Sequence, residues 1–137
     1  MLSVFIFQYK GRFIMQKIKR GDIYFADFSP AIGSEQNGER PCVVIQNDVG
    51  NHHSPTIVVA VITSKNKNNN LPTHIELPAD NGLTTISLVL LEHLRTIDKR
   101  RLIRYLGALD ERRMGKIDRA LAVSIGLKHT NTGGCYN

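Results

Sequence analysis

Short apolar runs set between turn-forming clusters occupy most of the chain, and a spacing of three and four takes over only near its end. Residues 21 to 28, Gly-Asp-Ile-Tyr-Phe-Ala-Asp-Phe, combine aromatic and β-branched residues between a glycine and Ser29-Pro30, and predict a strand. The stretch from Gly33 to Arg40 has two glycines, no aliphatic residue and both signs of charge, which suits a loop. Two Val- and Ile-rich runs follow, Cys42 to Ile45 behind Pro41 and then Thr56 to Thr63, each short enough for a buried strand. QNDVGNHHSP between them and SKNKNNNLP beyond them are dense in turn formers and predict exposed loops.

Thr73 to Leu77 and Ser87 to Leu91 meet the same strand criteria across an Asp80-Asn81-Gly82 turn, with Leu94 to Ile97 extending the second. Strands at this spacing predict a small barrel. After Asp98 the pattern changes: Met114, Ile117, Leu121 and Ile125 recur behind Asp110 as N-cap, predicting a terminal helix whose apolar face covers a sheet. The polar, glycine-rich KHTNTGGCYN reads as a frayed tail. At the other end, MLSVFIFQYKGRFIMQ clusters apolar residues but lacks a basic n-region and a small-residue cleavage site, so it does not read as a signal peptide. Met15 is an internal start candidate. The expected organisation is therefore an upstream or non-native extension at 1–14, a single domain at 15–128 and a flexible tail at 129–137.

A length of 137 residues fits one domain, since domains typically hold roughly 100–200. Apolar residues at 42% and charged residues at 22% are globular values and exclude wholesale disorder. No apolar run approaches the roughly 18 residues of a membrane span; the longest convincing one is Ile57 to Ile62. Charge adds more. Eighteen Lys and Arg against twelve Asp and Glu give +6, and nine of those cations with five of the acids fall between Glu92 and Arg119. A polyanionic partner is one reading and a solvated helix face the other. The absence of Trp limits base stacking.

Two cysteines, Cys42 and Cys135, lie far apart with no zinc-ligand spacing, which points to the cytoplasm and away from a structural metal. Five histidines invite a two-imidazole ribonuclease, but His52, His53, His74, His93 and His129 sit in separate segments and read as exposed or structural. No G-x-S-x-G elbow surrounds a serine and no P-loop spacing occurs. One arrangement remains, a polar loop ending in Arg40 before a strand and another strand ending in Thr63. A guanidinium is a planar, permanently charged fork suited to phosphate, and a threonine hydroxyl adds a hydrogen bond to the same group.

The combination RGDIYFADFSPAIGSEQNGERPCVVIQND at 20–48 resembles the opening of the MazF/PemK family of toxin endoribonucleases. The Gly-Asp-Ile-Tyr start, the Gly-Ser-Glu-Gln loop leading to Arg-Pro and the strand running into Gln-Asn-Asp match together, and the next strand ends in Ile-Thr as the family's does. Similarity continues through LPTHIEL and LLEHLRTIDKRRL to cover roughly residues 17 to 127, with the MazF toxins of Gram-positive bacteria most alike. The first sixteen or so residues have no counterpart in the usual pattern, which favours initiation at Met15.

The resemblance implies a mainly β fold, a small SH3-like (CcdB/PemK-type) barrel with a C-terminal helix, forming homodimers whose grooves accept single-stranded RNA. It implies sequence-specific cleavage of mRNA without a metal or cofactor, by attack of the neighbouring 2′-hydroxyl to leave a 2′,3′-cyclic phosphate and a 5′-hydroxyl. Arg40 and Thr63 become the catalytic pair, Ser34, Glu35 and Gln36 shape the substrate site, and Leu71, His74, Glu92 and His93 are candidates for base contacts. His93 departs from the pattern, since related toxins often carry Gln after this Glu. Free Arg has a pKa above about 12, which weights Arg40 toward charge stabilisation and protonation of the leaving oxygen rather than base catalysis. The group that accepts the 2′-hydroxyl proton stays open, with Glu35 as one candidate. An acidic MazE-like antitoxin is the implied partner, in a complex able to bind its own promoter DNA. Two other classes stay open: a CcdB-like toxin that binds DNA gyrase without nuclease activity, and a noncatalytic basic RNA-binding or autorepressor module, which predicts salt-sensitive binding without cutting.

Overall fold

The computed structural model describes residues 4–9, 12–30, 32–33, 38–65 and 71–128, the first strand pair as backbone only up to residue 16. In chain order the elements are β1 (Val4–Tyr9), β2 (Arg12–Lys17), β3 (Asp22–Asp27), β4 (Glu39–Val44), α1 (Asp48–His53), β5 (Thr56–Ser64), β6 (His74–Leu77), β7 (Ser87–Asp98), a 3₁₀ turn (Lys99–Arg101), β8 (Leu102–Ala108) and α2 (Glu111–Ser124). β1 and β2 pair with each other, and the rest form one antiparallel sheet in the order β6-β7-β5-β4-β3-β8.

Alternation along the central strands sorts side chains onto two apolar layers. Tyr24, Ala26, Cys42, Val44, Val59 and Val61 fall in one buried cluster, and Ile23, Val43, Ile45, Ala60 and Ile62 in the other. The second is covered by α2 through Ile117 and Ala120 with Met114 and Leu121 beside them. Asp110 caps this helix as expected, accepting from Arg113 N–H at 2.8 Å. Ile125 does not join the face; it is the C-cap residue and is half exposed, and Ala120 does the packing instead.

The sheet is not closed by strand pairing, yet it curls like a barrel until its two ends touch. The loop after edge strand β6 reaches across to edge strand β8, so that a Cβ on Gly82 would stand 2.7 Å from Leu106 Cβ and one on Gly107 would stand 2.9 Å from Asn81 Cβ. Only hydrogen atoms fit at either contact. Arg113 of α2 reaches Asp80 of the same loop at 3.6 Å. Arg20 ties the opposite side together, its guanidinium donating to Ile45 O at 2.8 Å and Asp118 Oδ1 at 2.6 Å while its backbone N–H donates to Asp48 Oδ1 at 2.7 Å.

The structure departs from the sequence reading at several further places, among them the strands β1 and β2, which the pattern did not show. The QNDVGNHHSP stretch contains α1, capped by the Asn47 side chain accepting from Gly50 N–H at 2.8 Å. Leu102–Ala108 is a strand that the pattern after Asp98 did not show. Glu39 and Arg40 belong to β4 rather than to the preceding loop. Ser87 to Asp98 is one strand with a bulge: adjacent Ala60 and Val61 pair with Leu94 and Leu90, so Leu91, Glu92 and His93 are pushed out of register. The expected domain boundary at 14/15 falls inside β2. The expected tail lies outside the described residues apart from its preceding Lys128, and no described helix is long and apolar enough to cross a membrane.

Candidate active site

Antiparallel register brings Arg40 and Thr63 together. Cys42 on β4 pairs with Val61 on β5, so residues two steps outward on each strand, Arg40 and Thr63, face each other on one side of the sheet. Arg40 Nη1 donates to Thr63 Oγ1 at 3.4 Å, a long bond with both side chains half buried. Such a contact sets the guanidinium beside the hydroxyl at the mouth of the groove.

The pair opens onto a groove of about 280 Å³ walled by β3, β4, the end of β5, the loop before β7, and β8. Phe25, Glu39, Ile62, Leu83, Thr84, Thr85, Ser87, Arg104 and Leu106 line it with Arg40 and Thr63. Phe25 and Arg104 are cross-strand partners, and the Arg104 guanidinium lies 4.6 Å from the Phe25 ring centroid. Sequence reasoning missed Glu39, Phe25, Arg104 and the two threonines. The dense charge after Glu92 contained a signal for Arg104, but without β8 nothing placed it in the groove. Chemically, the site offers two guanidinium groups and several hydroxyls around an open apolar floor, which suits a phosphate diester with its bases and sugars.

The other expected contact residues gather elsewhere. Leu71, His74, Glu92 and His93 are not among the groove's lining; they collect around the β7 bulge. His74 Nε2 and Glu92 Oε2 share a hydrogen at 2.6 Å, and Leu71 O accepts from His74 N–H at 3.0 Å. Burial acts to raise the Glu92 carboxyl, but hydrogen bonds from its own backbone N–H, His74 and Thr73 outweigh it and hold the group below the usual carboxylate range. Leu71 is exposed and His93 half buried. Ser34, Glu35 and Gln36 lie outside the described residues. Among the described residues no three His, Cys, Asp or Glu gather as a metal site.

A curled antiparallel sheet with a terminal helix and an arginine–threonine pair on an open groove defines a small, mainly β protein with a cationic surface groove. Residues 19–125 match the family described as PemK-like, MazF-like toxin of type II toxin-antitoxin system, and the chain belongs to that family. It is 52% identical over 111 residues to the Endoribonuclease EndoA of Bacillus subtilis (strain 168), an alignment covering 80% of this chain and 96% of that one. Among solved structures, an endoribonuclease in complex with its cognate antitoxin from a mycobacterial species superposes with a TM-score of 0.69 at 26% identity, covering 82% of this chain and 99% of that one. MazF of Deinococcus radiodurans gives 0.68 at 25% identity, covering 80% and 96%.

Proposed function

We propose that the chain is the toxin of a type II toxin-antitoxin system and cuts single-stranded mRNA at a short recognition sequence, halting translation and growth. The observation that carries this reading is the Arg40–Thr63 contact, a permanently charged guanidinium and a hydroxyl 3.4 Å apart on the wall of one open groove. Family membership and the endoribonuclease relative support it.

In the proposed reaction the neighbouring 2′-hydroxyl oxygen attacks phosphorus, the bond to the 5′-oxygen breaks, and the products are a 2′,3′-cyclic phosphate and a 5′-hydroxyl. Arg40 stabilises the charge that develops on the phosphoryl oxygens and delivers a proton to the departing 5′-oxygen. Thr63 donates to a nonbridging oxygen. Loss of one such preorganised donor costs roughly 2.7–4 kcal/mol, on the order of a hundredfold to a thousandfold in rate. Glu35 is the proposed acceptor of the 2′-hydroxyl proton. Ser34 and Gln36 shape the substrate site, and Leu71, His74, Glu92 and His93 contact bases flanking the cut. The working domain is residues 15–128, with the family match at 19–125 inside it. The toxin acts in the cytoplasm as a homodimer. An acidic MazE-like antitoxin, analogous to the antitoxin held by the mycobacterial relative, covers the groove and excludes RNA, and the complex binds its own promoter DNA.

The test is purified protein on a long single-stranded RNA, with cleavage mapping and end-group analysis. Cyclic phosphate and 5′-hydroxyl ends are expected, Arg40→Ala abolishes cutting while the dimer stays folded by circular dichroism and gel filtration, and a 2′-deoxy sugar at the scissile position blocks it. Full activity of Arg40→Ala overturns the assignment, and cutting of the deoxy substrate points to a water nucleophile.

A further inference from the structure

We infer that Arg104 is a second phosphate-binding residue of the groove, gripping the RNA backbone at a phosphate next to the scissile one. The inference rests on the RNA-cleaving reading above and goes beyond it by naming a residue, a ligand atom and a place. Arg104 pairs with Phe25 across β8 and β3, while Arg40 pairs with Ala26 across β4 and β3. Arg40 and Arg104 both line this groove, from strands β4 and β8 on either side of β3. Two strand spacings, about 10 Å, separate their backbones, which gives each arginine room for a phosphate of its own.

The Arg104 head is also held ready. The Arg104 guanidinium lies over the Phe25 ring at 4.6 Å, a cation–π contact that holds the head at the groove wall. Among the described residues Arg104 forms no ion pair, so its charge is not already spent on a carboxylate of the protein. Exposed Glu39 on the same wall repels a polyanion, and a second cation opposite it offsets that repulsion.

The experiment uses the full chain and a short RNA spanning a mapped cleavage site, with 2′-deoxyribose at the scissile position so that binding is read without cutting. Fluorescence anisotropy is measured for wild type, Arg104→Gln and Arg104→Lys against a series in which each linkage in turn is a neutral methylphosphonate. Arg104→Gln is expected to bind about ten- to a hundredfold more weakly, the loss of one charge-assisted contact. One linkage other than the scissile one weakens wild type when neutralised and leaves Arg104→Gln unchanged, and Arg104→Lys recovers part of the loss. A merely structural role lowers affinity equally across the series. Equal sensitivity of wild type and Arg104→Gln at every linkage overturns the proposal, as does unchanged affinity in Arg104→Gln. Cleavage of the all-ribose RNA by wild type is scored separately, so a failure of the nuclease reading is seen as absent cutting and not as a change in this binding pattern.

Discussion

Asp22 opens β3 with 5% of its surface exposed, accepting from Lys19 N–H at 2.9 Å. Burial is the main influence on its carboxyl, against the Lys19 hydrogen bond and charge and with the nearby Asp48 adding repulsion, and its pKa is pushed up to about 6. The unfolded chain releases this proton near 3.9, so between about 4 and 6 the folded state holds more protons than the unfolded one. Stability contributed here is thus greatest in acid and falls as pH rises through that window, leaving a charged, buried carboxylate at neutral pH. Asp22→Asn keeps an acceptor for Lys19 N–H and removes the charge. It is expected to stabilise the fold by about 2 kcal/mol above pH 7, with the gain shrinking toward zero below pH 4. Thermal melts at the two pH values measure this directly, and a lower melting temperature for the Asn variant at pH 7.5 contradicts it. Arg40 and Thr63 differ from Asp22 in being legible by type and motif before any geometry was known.

At the scale of elements, closure of the curled sheet depends on the β6–β7 loop meeting β8. Gly82 sits there at φ +84°, where a side chain is strained, and its missing Cβ leaves room for Leu106 Cβ and, at 2.8 Å, Leu106 O. Gly82→Ala is expected to cost about 2 kcal/mol or more, read as a lower midpoint in urea unfolding. Leu83, Thr84 and Thr85 follow directly and wall the groove, so RNA affinity falls as well; an alanine variant with wild-type midpoint and affinity shows that the contact is slack. The strands read from the sequence were those whose own apolar runs or aromatic and β-branched content mark them, β3, the latter part of β4, β5, β6 and β7, together with the capped helix α2. Those missed draw their order from tertiary partners. α1 has one aliphatic residue and is secured by buried Asn51, which donates to Gln46 O at 2.9 Å and accepts at its backbone O from Lys99 Nζ at 2.7 Å. β8 is an edge strand with Arg104 and Tyr105 outside the core and two register shifts against β3, so its pattern resembles neither period. The Phe25–Arg104 half of the groove was invisible for the same reason, since it exists only through that irregular pairing.

Across the whole molecule, the excess of cations between Glu92 and Arg119 first suggests a broad polyanion surface, and their placement narrows that reading. Arg101 donates to the Ser29 and Asp27 carbonyls, Lys99 to Asn51, Arg100 pairs with Asp98 and Arg113 with Asp80, while Arg95 lies 5.6 Å from the Phe28 ring centroid. These groups hold loops and strand ends. Arg112, Lys116 and Arg119 are exposed on α2, and the groove itself carries Arg40 and Arg104. Electrostatic binding of single strands changes log K by about −0.7 per decade of salt for each phosphate neutralised. Two groove arginines therefore predict a slope of about −1.4 for a short noncleavable RNA, falling to about −0.7 in Arg104→Gln. A titration from low to moderate salt measures both. A wild-type slope steeper than about −3 means that the cations of α2 bind the RNA too, and the polyanion surface is then the whole basic segment and not the groove.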